Sequence, residues 1–285
     1  MNSIETLSPD EYPSLLQEIA DPPETLYIKG VLPGNENIFL TVVGARRHSN
    51  YGKEATEDLI AALKGLPVVI VSGLAFGIDA IAHKAALRNG LKTIAFPGSG
   101  LGEDVIYPAA NQNLAQEILN AGGALVSPFE NDVKAAPWTF PVRNRIMAGI
   151  SHATLVVEAE IKSGTLITSK FATEFNRNVL TIPGSIYSSQ SAGPHMLIRL
   201  GATPITCGAE LVEALGFKAD VKREKVDYSD LSEEELKIVE LLASPMTRDD
   251  LFDELDMETS KINALLSLLE IKGVIEEKLG ELRRI

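Results

Sequence analysis

The chain has little of what usually announces a function. Its one cysteine, Cys207, can form no intramolecular disulfide, has no neighbour at metal-ligand spacing, and reads as a partly buried structural thiol. No apolar run approaches the roughly 18 residues of a membrane span. The start, MNSIETLSPDEYPS, lacks the basic, then apolar, then small-residue order of a signal peptide. These absences predict a cytoplasmic protein. Aromatic residues make up only 6%, with a single tryptophan. Positive charge is also short, with 26 Lys and Arg against 39 Asp and Glu, a net charge of −13. Affinity for nucleic acid comes largely from neutralising phosphates, so the sum opposes such a partner. Its distribution is less hostile. Residues 231–285 hold 14 acidic and 7 basic groups, leaving 25 against 19 in 1–230, where a local basic patch remains open.

What is present is a globular pattern. At 285 residues and 45% hydrophobic, the chain can form one large domain plus a small one. Apolar runs at 38–43, 67–71, 93–96 and 179–182 each meet a glycine within two residues, as buried parallel strands ending in tight turns do. A fifth, 153–157, ends at Glu158. Helical patterns at 52–64, 79–89, 111–121 and 165–176 lie between them, the last three opening on Asp, Asn or Thr. The alternation predicts an α/β fold, an extended Rossmann-like, doubly wound, mostly parallel sheet over 38–217. A short irregular N-terminal lead-in, 1–37, packs on it. A charged linker at 218–230 leads to a small C-terminal winged-helix domain at 231–285, read from three amphipathic helices and a hairpin, VIEEKLGELRRI.

Ligands of such sheets bind outside the carboxyl ends of the strands, and four constellations fall there. In the first, Gly44-Ala45-Arg46-Arg47, the turn is either an anion-binding nest with arginines for phosphate or a surface turn with solvated arginines. The second, Ser72-Gly73-Leu74-Ala75-Phe76-Gly77-Ile78-Asp79, runs from strand to helix and lets a phosphate approach the helix start, yet it meets neither the dinucleotide nor the P-loop signature. His83, one turn beyond Asp79, either pairs with it or is a satisfied helix histidine. The third joins Trp138 to Phe140-Pro141-Val142-Arg143-Asn144-Arg145, supplying π faces for bases, cations for a backbone and an amide for base edges. Core aromatics beside a helix-capping Asn would explain the rings but not the arginines. The fourth, Ser163-Gly164-Thr165, opens a helix directly after a buried strand, another anion-binding start unless Gly164 only serves the turn.

Taken in order, VVGARRHSNYG, VSGLAFGIDAIAHKAAL, IAFPGSGLGEDVIYPAANQNL, FPVRNRIMAGIS, VVEAEIKSGTLIT and IPGS closely resemble the DprA/Smf family, from about Tyr12 to Leu215. The resemblance implies a protein that is not an enzyme. Such a protein coats and protects incoming single-stranded DNA during natural transformation, acts as a homodimer, and helps load RecA recombinase. It places DNA contacts at Arg46, Ser72, Gly73, Gly77, Phe140, Arg143, Asn144, Arg145, Ser163, Gly164 and Thr165, to which the reading of the residues adds Gly44, Arg47 and Trp138, with no catalytic group, metal or cofactor expected. Two departures qualify it. Family members often carry lysines near 111–113 and 136–138, whereas these positions are uncharged here, so Trp138 is expected to substitute stacking for charge. The sequence SPFE at 127–130 also differs, with no functional meaning attached.

The winged helix reads as a protein-contact module rather than a duplex reader, because its candidate recognition helix, 260–270, has only Lys261 as a base. Two other uses of the pocket stay open. One is a phosphoribohydrolase-like enzyme of the lysine-decarboxylase-like group, although Glu174 lies nine residues after Thr165 instead of about three. The other is a small-nucleotide sensor.

Overall fold

A computed structural model describes residues 3–218, 228, 230–278 and 280–284. The chain divides into two compact units, Met1–Ala219 and Asp220–Ile285. Most of the expected linker, at 219–227 and 229, lies outside the described residues.

The first unit is built on strands β1 (Ile4–Leu7), β2 (Leu26–Gly30), β3 (Ile38–Val43), β4 (Val68–Ser72), β5 (Lys92–Ala95), β6 (Ala124–Ser127), β7 (Ala153–Val156), β8 (Asn178–Thr181) and β9 (Thr203–Pro204). They form one sheet in the order β1-β2-β6-β5-β4-β3-β7-β8-β9. The run from β6 to β9 is parallel; β1 and β2 are antiparallel to their neighbours. Helices α1 (Ser14–Gln17), α2 (Asn50–Ala61), α3 (Ile78–Arg88), α4 (Gln112–Asn120), α5 (Thr139–Ile150), α6 (Thr165–Glu174), α7 (Ala192–Arg199) and α8 (Gly208–Ala214) complete the unit.

The strands are apolar at consecutive positions because both faces are covered, and their alternation decides which helix each residue meets. Val42, Ile70 and Leu155 share one core with Ile60 of α2, Ala82 of α3 and Leu211 of α8. Their chain neighbours Val43, Val71 and Val156 share the opposite core with Leu16 of α1 and with Ile146, Met147 and Ile150 of α5. The doubly wound, mostly parallel sheet expected from the sequence is therefore what forms.

Three elements differ from the sequence reading. The lead-in is not irregular: β1 and β2 extend the sheet, and β2 pairs with β6, also unread. The strands β1 and β2 mix polar with apolar residues, because they lie at the edge of the sheet and are only partly covered. Helix α5 was hidden for another reason. Its buried face includes Arg143 and Asn144 beside Ile146, Met147 and Ile150, so polarity did not track burial. Cys207, expected to be partly buried, is exposed.

The second unit has the expected winged-helix elements, α9 (Glu233–Leu241), α10 (Arg248–Glu254), α11 (Thr259–Ile271), β10 (Ile275–Lys278) and β11 (Glu281–Arg284). Its own core joins Ile238, Leu251, Ile262, Leu266 and Leu282. A reciprocal capping box opens α9: Ser232 Oγ accepts from the Glu235 amide at 3.2 Å, and Glu235 Oε2 accepts from the Ser232 amide at 2.7 Å. Among the described residues no helix is long and apolar enough to cross a membrane.

Candidate functional site

From β3 the chain winds outward through β4, β5 and β6, then returns and winds the other way through β7, β8 and β9. The reversal leaves the carboxyl ends of β3 and β7 side by side, the switch point at which open α/β sheets bind ligands. An open cavity of about 390 Å3 lies there, lined by the turn after β3, the entry to α3, the turn from Glu160 to Thr165 after β7, one side of α5, and Gln190.

The turn after β3 is held from behind. Gly44 O accepts from Thr165 Oγ1 at 3.1 Å, Ala45 O from the Ile78 amide at 3.2 Å, and Arg47 O from Gln190 Nε2 at 3.2 Å. Gly77 makes this approach possible: its φ is +76°, and a Cβ there would strike Ala45 O. With the backbone fixed, the side chains of Arg46 and Arg47 face solvent, and no carboxylate among the described residues lies within ion-pairing distance of either. Arg46 stands over the half-buried Phe140 ring at 5.2 Å, and Tyr107 meets the same ring at 6.0 Å. Lys162 adds a third exposed cation to the cavity lining.

Arg143 does the opposite. It is 6% exposed. Its Nη1 donates to the carbonyls of Gly73 and Phe96, its Nε donates to Asn144 Oδ1 at 2.6 Å, and its Nη2 lies 4.0 Å from Asp79 Oδ2. The same Asp79 oxygen accepts from the Gly73 amide at 3.1 Å. Burial raises the Asp79 carboxyl and lowers the Arg143 guanidinium, and each charge partly restores the other. Asn144 completes the brace by donating from Nδ2 to Gly164 O at 3.4 Å. Gly73 is required here because a Cβ would collide with the guanidinium.

His83 is a core residue and does not pair with Asp79. Thr93 Oγ1 donates to Ile70 O at 2.8 Å, so at 2.7 Å it accepts from His83 Nδ1, which must carry the proton. Burial and the Arg143 charge pull the imidazole pKa down to about 3.

Of the fourteen residues expected to contact a ligand, Gly44, Arg46, Arg47, Phe140, Arg143, Asn144, Ser163, Gly164 and Thr165 line the cavity. The other five do not. Ser72 is fully buried and donates to Val42 O at 2.7 Å, Gly73 and Gly77 serve backbone geometry, and Trp138, 59% exposed, packs edge-on against Phe129 at 5.4 Å. Arg145 pairs with Asp21 at 3.5 Å and lies over Phe175, because two residues along a helix turn it about 200° from Arg143. Lys162, Thr168 and Gln190 were not singled out from the sequence. Thr168 Oγ1 and Gln190 Oε1 are buried without partners on the cavity wall, a property that only the assembled fold creates.

A doubly wound sheet with a cation-rimmed crevice at its switch point, carried on the same chain as a winged helix, defines an extended Rossmann-like protein with a second, winged-helix unit. The family described as DNA recombination-mediator protein A matches residues 3–216, and the DprA winged helix domain matches 223–280. The chain belongs to the DprA/Smf family. It is 43% identical to Protein Smf of Escherichia coli over 206 residues, 72% of this chain and 54% of that protein, so it spans about half the length of that relative. It is also 43% identical to DNA processing protein DprA of Streptococcus pneumoniae over 73% of this chain and 72% of the other. The solved structure of the pneumococcal protein superposes with a TM-score of 0.69, covering 74% of both chains. DNA processing protein A of Helicobacter pylori superposes at 0.65 with 28% identity, covering 75% of this chain and 98% of that one.

Proposed function

We propose that the crevice binds single-stranded DNA, with Arg46, Arg47 and Lys162 on phosphates and Phe140 under a base, and that Arg143 and Asn144 hold the binding loops rather than the strand. The observation carrying this reading is the division of labour among the cations. Those on the rim are exposed and unpaired, whereas the floor arginine is fixed by backbone carbonyls. The orphan oxygens of Thr168 and Gln190 add acceptors for a base or sugar, and about 390 Å3 suits one nucleotide of a longer strand. The H. pylori relative is a protein with a described single-stranded DNA binding mode. Through family membership the reading extends to protection of DNA strands in transformation, to RecA recombinase as recipient, and to a homodimer.

The test is fluorescence anisotropy with single-stranded and duplex oligonucleotides across a salt series. Arg46→Ala with Lys162→Ala is expected to weaken oligo-dT binding at least ~tenfold and to reduce the salt slope by roughly 0.7 for each phosphate no longer neutralised. Unchanged affinity and slope would remove the site.

Binding rather than catalysis is favoured by the position of Glu174, the acid that a phosphoribohydrolase would need. It is an exposed residue at the last turn of α6, 3.7 Å from Lys170 and outside the cavity lining. Release of base from AMP by the purified chain would reverse this. In the winged helix, Lys261 is held by Glu234 at 2.5 Å and Arg248 by Glu277 at 2.6 Å, which favours a protein partner over duplex DNA.

A further inference from the structure

We propose that the groove between α2 and α3 is a second contact site for nucleic-acid backbone, taking the phosphodiesters that flank the nucleotide held in the crevice. This rests on the reading of the crevice as a DNA site. The groove is an open cavity of about 510 Å3 whose polar lining is His48, Lys53, Lys84, Arg88, Glu57 and Glu117.

Continuity with the crevice is covalent. Arg46 and Arg47 line the first cavity and His48, the next residue, lines the second, so a single fixed turn forms the ridge between them. A strand whose phosphates meet the two arginines therefore leaves the crevice over the mouth of the groove. Helical spacing then sets the walls. On α3, Lys84 and Arg88 are four residues apart beside Ile81, and on α2, Lys53 and Glu57 are four apart, so two rows of side chains face each other.

Charge and position together separate this groove from an ordinary solvated face. Glu57 is the natural i,i+4 partner of Lys53, but it is taken by Arg88 at 2.6 Å. Lys53 and Lys84 are exposed, and among the described residues no carboxylate is within ion-pairing distance of either. Other exposed cations of this unit, such as Lys64, Lys92 and Lys134, are also without an acidic partner among the described residues, but none of them lines a cavity that adjoins the crevice. In a chain of net charge −13, free lysines beside the unpaired arginines of the crevice form the positive surplus that a polyanion requires. Among the described residues, Glu117 is the one opposing carboxylate of the lining without a paired cation, and it leaves the surplus positive.

The experiment compares oligo-dT of 6 and of 25 nucleotides on the full chain and on Lys53→Glu with Lys84→Glu. The short strand occupies the crevice alone and is expected to bind both proteins within twofold. The long strand should bind the variant roughly tenfold more weakly, with the slope of log K against log salt lowered by about 1.4 for two phosphates released. A Lys53→Arg with Lys84→Arg variant keeps the charge and should match the unaltered chain at both lengths. Equal weakening at both lengths would reduce the lysines to a general field and overturn the proposal, as would an unchanged 25-mer. If the unaltered chain binds neither length, the crevice reading itself fails and the groove falls with it.

Discussion

Arg46 and Arg143 illustrate how two arginines of one site can do unlike work. Arg46 is exposed, unpaired and free to meet a phosphate, and its contribution is open to screening by counterions. Arg143 lies under the cavity floor, where its charge holds Gly73, Phe96, Asn144 and Asp79 in place. Removing one member of a buried charge pair leaves the other uncompensated, at a cost of about 3–5 kcal/mol. Asp79→Asn is therefore expected to lower unfolding stability by about that amount in a urea titration. Arg46→Ala, which gives up only an exposed cation–π interaction, should change stability by about 1 kcal/mol or less. A small effect of Asp79→Asn would mean that Gly73 and Phe96 carbonyls alone can hold the guanidinium.

At the scale of elements, the joint between α3 and the sheet is a relay from His83 through Thr93 of β5 to Ile70 of β4. Its pH dependence follows from a folded pKa of about 3 against an ordinary 6.5. Between these values the unfolded chain binds the proton that the folded chain refuses, so this stability is full above pH 6.5 and declines as pH falls toward 3, by about 1.4 kcal/mol per unit. By pH 4 the loss reaches about 3 kcal/mol. Asp79, whose carboxyl is raised, acts in the opposite sense, so the contribution is isolated by difference: His83→Gln should flatten the fall in melting temperature between pH 6 and 4 relative to the unaltered chain. Parallel profiles would place the acid sensitivity elsewhere.

Legibility also varied by element. Of the six central strands, β3, β4, β5 and β8 lead into glycine turns and β7 is an uninterrupted apolar run ending at Glu158, all of which the sequence displayed, whereas β6 was not read. The Gly44 turn could be placed because its glycine and arginines follow an apolar run directly, and the Gly164 turn because its small polar residues open the next helical pattern. Helix α5 could not, since its inward face includes a charged residue and an amide. The interlacing of turns by Thr165, Ile78 and Gln190, and the orphan oxygens on the wall, depend on residues far apart in the chain, and no local pattern encodes them. The position of Trp138, edge-on to Phe129 and outside the cavity lining, likewise depends on contacts that no local pattern encodes.

At the scale of the molecule, acidity is unevenly held. Residues 231–285 contribute 14 acidic and 7 basic groups, half of the net charge of −13. A negative field of this size repels a polyanion over distances set by the Debye length and is lost when salt shortens it. Deleting 231–285 should therefore raise affinity for a 25-nucleotide oligo-dT severalfold at about 20 mM salt, with the two proteins converging near 0.5 M. Anisotropy on both chains measures this, and equal affinities at low salt would show that the small unit exerts no field on the site.

The inward Arg143 has a consequence for genetics. A screen of random alleles would score Arg46 and Arg143 substitutions alike, as loss of DNA handling in the cell. Only the first class would accumulate to normal abundance. Alleles of Asp79 and Gly73 should fall with Arg143 in the low-abundance class, so pairing each phenotype with the level of soluble protein sorts the arginines proposed to touch the strand from the one that keeps the crevice in shape.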